Sequence, residues 1–382
     1  MKRIRVALVS ESFYPVSDAP AVRLTSFARS MLKNSRFSLR VITSNRSNKG
    51  FENIKIEKNF FPPSNNKQAN PIRALSELFY GFENLIRLFI GNHDIVIITS
   101  PPFLSLIVVS FYLTSFKRGK YIVDVRDYYP AVYFEAGVIS ATSFLGKTLL
   151  RIEKRIYDNA LFVSAATQGL TDEISKKTKN RVKLVRNGYD SFLFKTSKKK
   201  SNRFNVVFHG NLSKFQDVEG LIRLAETLEE QDPEIRMIVI GAGSKDYLFK
   251  DVNVSNLDYL GKMDYRDVAA TISKSSLGIS LRKEGIIGKT AFPVKIYEYL
   301  GVGIPTICAP KCEAGDFLEK NKVGFQFDTE DINGIAKKII ELKRDQGSYN
   351  DLITNILKIR DQFSREFIGE NLVNSIVKEI EE

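Results

Sequence analysis

Phe292-Pro-Val-Lys-Ile-Tyr-Glu-Tyr-Leu-Gly-Val-Gly-Ile-Pro-Thr-Ile307 is the stretch whose reading decides the fold. Pro293 suits the first turn of a helix, where its missing N–H costs no hydrogen bond, and Gly301 and Gly303 suit the end of that helix. Residues 305–308 then read as a strand. The N-terminus of such a helix offers free N–H groups and a partial positive charge. Lys295 adds an ammonium in the first turn, so a diphosphate fits there. Glu298, three residues on, shares the helix face of Lys295. Its carboxylate is suited to accept two hydrogen bonds from a ribose diol; a plain i, i+3 salt bridge is the alternative.

Working outward, short β-branched runs at 205–208, 235–240, 257–260 and 277–280 alternate with helical patterns, and 332–382 is helical in pattern throughout. The polar stretch 195–202 can bury little and suits a linker. Ahead of it the same alternation recurs. Strands are expected at 4–9, 38–43, 94–99, 121–125 and 161–164, with helices at 21–33, 74–90, 103–116 and 144–159, and a proline-rich loop at 59–71. This predicts an α/β chain of two Rossmann-like parallel-sheet domains facing across a cleft. The expected division is 1–190, a linker at 191–202, 203–365, and a last helix at 366–382 that packs back on the first domain. The 382 residues suit two domains of roughly 100 to 200 residues each. Ligands in such sheets bind beyond the carboxyl ends of the strands.

The formal charge of +13 implies attraction to something anionic, and phosphosugars, nucleic acid and acidic lipid all qualify. No basic run exceeds Lys198-Lys199-Lys200 and no nucleic-acid motif is present, so no nucleic-acid partner is expected. Cys308 and Cys312 supply neither a metal set nor a disulfide framework, and a reducing cytoplasm fits them best. His93 and His209 lack a second histidine or cysteine at ligand spacing, so neither metal nor other cofactor is expected. The amino-terminal apolar run is too short for a signal segment and reads as a strand. The 14 residues at 103–116 fall short of the about 20 that span a bilayer and read as a buried helix. The helix carrying Phe79, Phe82, Leu85, Ile86 and Phe89 reads as core-facing, with docking on an anionic membrane surface, between Arg73 and Arg87, as the alternative.

The 293–305 segment, Pro-Val-Lys-Ile-Tyr-Glu-Tyr-Leu-Gly-Val-Gly-Ile-Pro, resembles the P-S-K-x-x-E-Y-x-x-x-G-x-P of retaining glycosyltransferase family 4, bacterial surface-polysaccharide branch. Val294 stands where that branch has serine. Thr290 occupies the place of the wider family's second glutamate, and Glu284 is a loose substitute. Phe13-Tyr-Pro15 with Ala21-Val22-Arg23 looks like the family's first loop. Asp124-Val-Arg-Asp-Tyr-Tyr-Pro130 is similar to D-x-R-D-x-W-P, Asn187-Gly-Tyr-Asp190 to N-G-x-D, and Phe208-His-Gly-Asn-Leu212 with Gln216 to the phosphate-side loop. Their order and spacing carry the resemblance.

The resemblance implies a GT-B fold. It also implies retaining transfer from a nucleotide sugar, with UDP the favoured carrier, to a surface glycan or polyprenyl-diphosphate-linked acceptor. An enzyme in the cytoplasm or on the inner face of the membrane follows. Charge develops on the departing diphosphate, so preorganised cations and N–H groups are the main requirement. Lys295, the helix end opened by Pro293 and Val294, and Arg282 or Lys283 meet it. Gly210, Asn211 and Lys214 are expected to line the donor, and Pro15, Arg23 and Asp127 the acceptor. Asp127, Lys295 and Glu298 are the expected catalytic set, the alternative for Asp127 being a pair with Arg126 or Arg23. A dehydrogenase is disfavoured because the loop after the first strand lacks the glycine fingerprint. A nucleotide-sugar epimerase and a non-enzymatic anionic-surface binder are the other readings.

Overall fold

The computed structural model describes residues 3–16, 18–44, 51, 52, 54–61, 70–116, 119–197, 201–284 and 292–382. Two compact units divide the chain: Met1–Arg186 together with Gly369–Glu382, and Asn187–Ile368.

The first unit is built on seven parallel strands, β1 (Ile4–Ser10), β2 (Phe37–Thr43), β3 (Lys55–Lys58), β4 (Ile95–Ser100), β5 (Lys120–Val125), β6 (Phe162–Ala165) and β7 (Val182–Leu184). Their order is β3-β2-β1-β4-β5-β6-β7. The intervening helices are α1 (Ala19–Leu32), α2 (Asn70–Ile90), α3 (Phe103–Ser115), α4 (Ala131–Glu135), α5 (Phe144–Asn159) and α6 (Gln168–Ser175). β4 is buried at every position, as a strand covered on both faces must be, and its Ile-Val-Ile-Ile run is the sequence form of that burial. The edge strands are short and mixed instead, Lys-Ile-Glu-Lys in β3 and Val-Lys-Leu in β7, and offer no such apolar run.

The second unit has six parallel strands, β8 (Asn205–His209), β9 (Arg236–Ile240), β10 (Leu257–Gly261), β11 (Leu277–Leu281), β12 (Thr306–Ala309) and β13 (Gly324–Gln326), in the order β10-β9-β8-β11-β12-β13. Its helices are α7 (Val218–Gln231), α8 (Tyr265–Lys274), α9 (Val294–Val302), α10 (Glu313–Lys320), α11 (Ile332–Arg344) and α12 (Gln346–Ile359). Alternate strand residues serve different cores. Val206 and Phe208 join Leu221, Leu224 and Ile335, whereas Val207 joins Ile296, Tyr299 and Leu300. Helix α9 lies tight on this sheet because Gly278 has no side chain; a Cβ there would sit 2.3 Å from the Tyr299 ring. The Tyr299 hydroxyl donates to the Val207 and Ile279 carbonyls from that position. The final helix, α13 (Arg365–Glu381), starts in the second unit, and its later turns belong to the first. There Glu379 pairs with Arg181 and Lys183.

Helix α2 departs from its expected packing. Its apolar stripe of Ile72, Leu75, Phe79, Phe82, Ile86 and Phe89 is exposed, and Glu77, Tyr80, Asn84 and Leu88 are buried instead. Small and polar groups decide the docking. Gly81 lies against the backbone of Ser105 on α3, and Asn84 donates to the Ser105 hydroxyl while accepting from Asn59. Once these are satisfied, the aromatic side faces outward. Helix α3 is likewise only partly buried, with Phe111 and Phe116 exposed. Among the described residues no helix is long and apolar enough to cross a membrane.

Arg23 of α1 is 2% exposed and forks onto Asp124 of β5, with Nε at 2.9 Å and Nη2 at 2.7 Å from the two carboxylate oxygens. Ser164 of β6 adds a 2.6 Å bond. Burial pushes the Asp124 carboxyl up, but the charge and hydrogen bonds of Arg23, with the Ser164 hydroxyl, outweigh it and hold the group below its ordinary value. The pair therefore stabilises the fold above the ordinary carboxyl range and loses that contribution as pH falls through it. Replacing Arg23 with Met leaves a buried carboxylate uncompensated, and a loss of about 3–5 kcal/mol in urea unfolding at neutral pH is expected.

Candidate active site

The strand order of the second unit reverses between β8 and β11, the position where open parallel sheets leave a crevice at their carboxyl edge. β8 runs out at His209 into Gly210, and β11 runs out at Leu281 into Arg282. The loop after β8 folds onto the end of β11. Gln216 and Arg282 form an isolated antiparallel bridge, and the Lys283 N–H donates to the Phe215 carbonyl at 3.1 Å. Gly210 holds φ +132°, a conformation that side-chain-bearing residues rarely adopt, and a Cβ there would stand 3.4 Å from Lys295 Nζ.

Lys295 enters this crevice from the first turn of α9. Its Nζ lies 3.7 Å from the centroid of the Phe208 ring and donates to Gln216 Oε1 at 3.3 Å. Pro293 occupies the N-cap rather than the first turn, with ψ 134°, and Val294 opens the helix. The proline thus turns the chain into the helix from an extended residue. Gly303 closes α9 in the left-handed conformation with φ +78°, in keeping with the expected end of the helix. Beneath the helix, the Tyr189 ring of the Asn187-Gly188-Tyr189-Asp190 segment lies over Gly301.

Lys295 is 8% exposed. Burial, and then the charge of Arg282, pull its amine down to about 7, with Glu298 acting the other way. Arg282 is half-buried, and burial also lowers its guanidinium. Neither cation makes a salt bridge among the described residues. A buried cation beside a half-buried one, with no salt bridge to either, is costly, and an incoming anion relieves that cost.

Glu298 does not sit as expected. It is 2% exposed and already engaged. The Tyr265 hydroxyl donates to Oε1, and His209 Nε2 stands 2.8 Å from Oε2. Burial alone would raise this carboxyl. His209, Arg365 and the Tyr265 hydroxyl hold it below the usual range instead. Oε1 is thus taken by Tyr265, whereas Oε2 faces His209 at the end of β8 and makes no hydrogen bond among the described residues. The sequence reading missed Tyr265 and placed Gln216 and His209 only within the phosphate-side loop, because these residues converge from separate elements. Asn211 and Lys214 are exposed on the same loop as Gly210, and Lys214 Nζ lies 5.2 Å from the Phe215 ring centroid. Lys283 is exposed near Glu219 at 3.8 Å, and Glu284 is exposed. Thr290 lies outside the described residues.

In the first unit the order reverses between β1 and β4. At that edge Arg126 joins Glu11, at 2.9 Å, to the Pro101 carbonyl. Asp127 follows Arg126 with an exposed side chain and makes no salt bridge among the described residues, though the Arg126 charge acts on its carboxyl. Pro15 is half-buried in the loop after β1. Arg23 is a correction. It is consumed by Asp124 beneath this surface, and so is unavailable to bind an acceptor.

Because the Lys295 amine falls from the ordinary lysine value near 10.4 to about 7 in the fold, folding expels a proton between those values and stability rises with pH across that window. Relative to Lys295→Met, the wild-type chain is expected to gain on the order of 2–3 kcal/mol between pH 7 and pH 9.5. Urea unfolding of both proteins at the two pH values measures it.

Residues 190–358 match the family Glycosyl transferases group 1. The chain is 20% identical over 300 residues to the "Probable glycosyltransferase WbjE" of Pseudomonas aeruginosa, covering 73% of this chain and 74% of that protein. Sucrose-phosphate synthase (tll1590) from Thermosynechococcus elongatus superposes with a TM-score of 0.75 at 14% identity, covering 98% of this chain and 99% of the other. Anabaena Alr3699/HepE, solved in complex with UDP, superposes at 0.72 and 16% identity, covering 98% and 100%. The second unit carries the group 1 pattern, the two parallel-sheet units have the GT-B architecture, and the chain is a glycosyltransferase.

Proposed function

We propose that the enzyme is a retaining transferase that draws a sugar from a UDP-linked donor held by the second unit. Its acceptor is a growing surface glycan or a polyprenyl-diphosphate-linked saccharide, used at the cytoplasmic face of the membrane. The observation that carries this reading is the buried Lys295 beside the half-buried Arg282, neither in a salt bridge among the described residues, at the β8/β11 switch point beside the N-terminus of α9. A nucleoside diphosphate is the anion that such a crevice takes in a glycosyltransferase. UDP as the carrier is supported by HepE, whose structures hold UDP and UDP-glucose.

In this reading the diphosphate settles over Gly210, whose missing Cβ leaves room, with Asn211 and Lys214 reaching the donor from the same loop. Lys295 takes up a proton as the anion arrives. It then faces the leaving phosphate as negative charge develops there, together with Arg282 and the N–H groups that follow Pro293. The anomeric C–O bond to phosphate breaks, and the acceptor oxygen attacks from the same face. The departing phosphate oxygen receives the acceptor proton, so no protein nucleophile is required, and the cations present make a metal unnecessary to the scheme. Glu298 is a positioning residue that holds His209. Asp127, with Pro15, serves the acceptor side.

UDP should raise the melting temperature more than GDP, ADP or TDP, and the product should keep the donor's anomeric configuration by NMR. No shift with any nucleotide, or an inverted product, rejects the reading. Lys295→Ala is expected to lower kcat/KM by about 10²–10³, and UDP affinity in the wild type should weaken as pH rises above about 7. Asp127→Ala should lower kcat by about 10²-fold or more while leaving the UDP Kd within roughly twofold.

A further inference from the structure

Several features outside the site were unabsorbed by the reaction: the Cys308/Cys312 pair, the cavity near His93 and Asn159, and the outward aromatic face of α2. The last is supported by several independent observations. Along α2, Ile72, Leu75, Phe79, Phe82, Ile86 and Phe89 recur at helical spacing and are all exposed, Phe89 by 58%. The acid nearest this stripe, Glu83, is tied to Arg87 at 2.9 Å. Next to it α3 exposes Phe111 by 61% and Phe116 by 65%. Helix α3 packs against both α2 and α5. Between the three helices opens a cavity of about 620 Å³ lined almost wholly by apolar groups, among them Phe82, Leu85, Ile107, Phe111 and Ile156, with Arg155 at its wall.

Helix α5 completes the pattern with charge. It begins at Phe144, 83% exposed, and Leu145. Lys147, Arg151 and Arg155 follow at i, i+4 spacing, all exposed. None of the three makes an ion pair among the described residues; Lys154 beside them is already held by Asp158. Exposed aromatic and aliphatic side chains, an apolar cavity and a row of uncompensated cations on adjacent helices of one unit are complementary to one kind of surface, an anionic bilayer. Its headgroups take the cations and its acyl region takes the rings. A protein partner matching the same stripe would need carboxylates spaced along α5 as well as an apolar ridge.

We infer that the α2–α3–α5 face docks on an anionic lipid bilayer, with Phe79, Phe82 and Phe111 entering the interface and Lys147, Arg151 and Arg155 contacting headgroups. The face belongs to the first unit and the nucleotide site to the second, and the inference does not depend on which donor is used.

Co-sedimentation of the full chain with vesicles of phosphatidylcholine containing 30 mol% (about a third) phosphatidylglycerol, against pure phosphatidylcholine, tests it. Binding to the anionic vesicles, weakened by salt and absent on the neutral ones, is expected. Lys147→Glu/Arg151→Glu/Arg155→Glu should weaken it by roughly a hundredfold or more, since each cation near the surface contributes about a factor of five. Phe79→Ser/Phe82→Ser/Phe111→Ser should weaken it by at least about tenfold. These side chains are exposed, so both variants should keep the wild-type UDP thermal shift. That shift shows the fold intact and separates failure here from failure of the transferase reading. Equal sedimentation with both vesicle types, unchanged binding in both variants, or a lipid-free dimer abolished by the phenylalanine variant would overturn the proposal.

Discussion

The second unit is arranged around the burial of one ammonium group. Lys295 sits against the face of Phe208 and the amide oxygen of Gln216, its amine pulled down to about 7 by burial and then by the charge of Arg282, with no carboxylate salt bridge among the described residues. Several unusual local choices in the neighbourhood serve this arrangement. Gly210 holds φ +132°, which would strain any residue that carries a side chain. The Gln216–Arg282 bridge brings the phosphate-side loop onto the end of β11. Gly278 lets α9 lie close enough to the sheet for its first turn to reach the crevice. A destabilised cation is the logic of a binding site, in which folding energy is held in a form that an anion releases.

Behind that cation lies a different kind of group. Glu298 is buried and held below the usual carboxyl range, accepting from the Tyr265 hydroxyl at one oxygen and facing His209 Nε2 at 2.8 Å with the other. Lysine and glutamate at i, i+3 are the ordinary grammar of a surface salt bridge, and in this helix they do separate work. One lies against Phe208 and Gln216 and the other against Tyr265 and His209. The first unit shows the same economy. Arg23 and Asp124 are consumed as an internal brace, while Asp127, three residues after Asp124, stays exposed. Proximity along the chain to a functional loop therefore says little about which member of a charged cluster meets the ligand.

Helix α2 marks the limit of amphipathic reasoning. A stripe of six large apolar side chains normally faces a core, because burial of each contributes roughly 1.5–3 kcal/mol. Here Gly81 against Ser105 and the Asn59–Asn84–Ser105 hydrogen bonds set the docking side. A polar ladder buried in apolar surroundings must be fully paired or left in water, so its geometry dominates once it forms. The apolar stripe is left for another environment.

The sequence by itself determined the α/β class, the two parallel sheets and most strand positions, because central strands and their covering helices have strong and different hydrophobic periods. The lysine of 292–307 was also legible, since a proline-opened, glycine-closed helix with a cation in its first turn has a chemistry readable from one segment. Edge strands such as β3 and β13 were not, having too few apolar residues to show a period. Only the tertiary structure decided that Glu298 is occupied by Tyr265 and His209, that Arg23 belongs to Asp124, that Gln216 and Arg282 meet, and which side of α2 is buried. Each of these is a contact between elements tens to more than a hundred residues apart. The choice rests on competing hydrogen-bond and charge partners in three dimensions, and no local pattern encodes it.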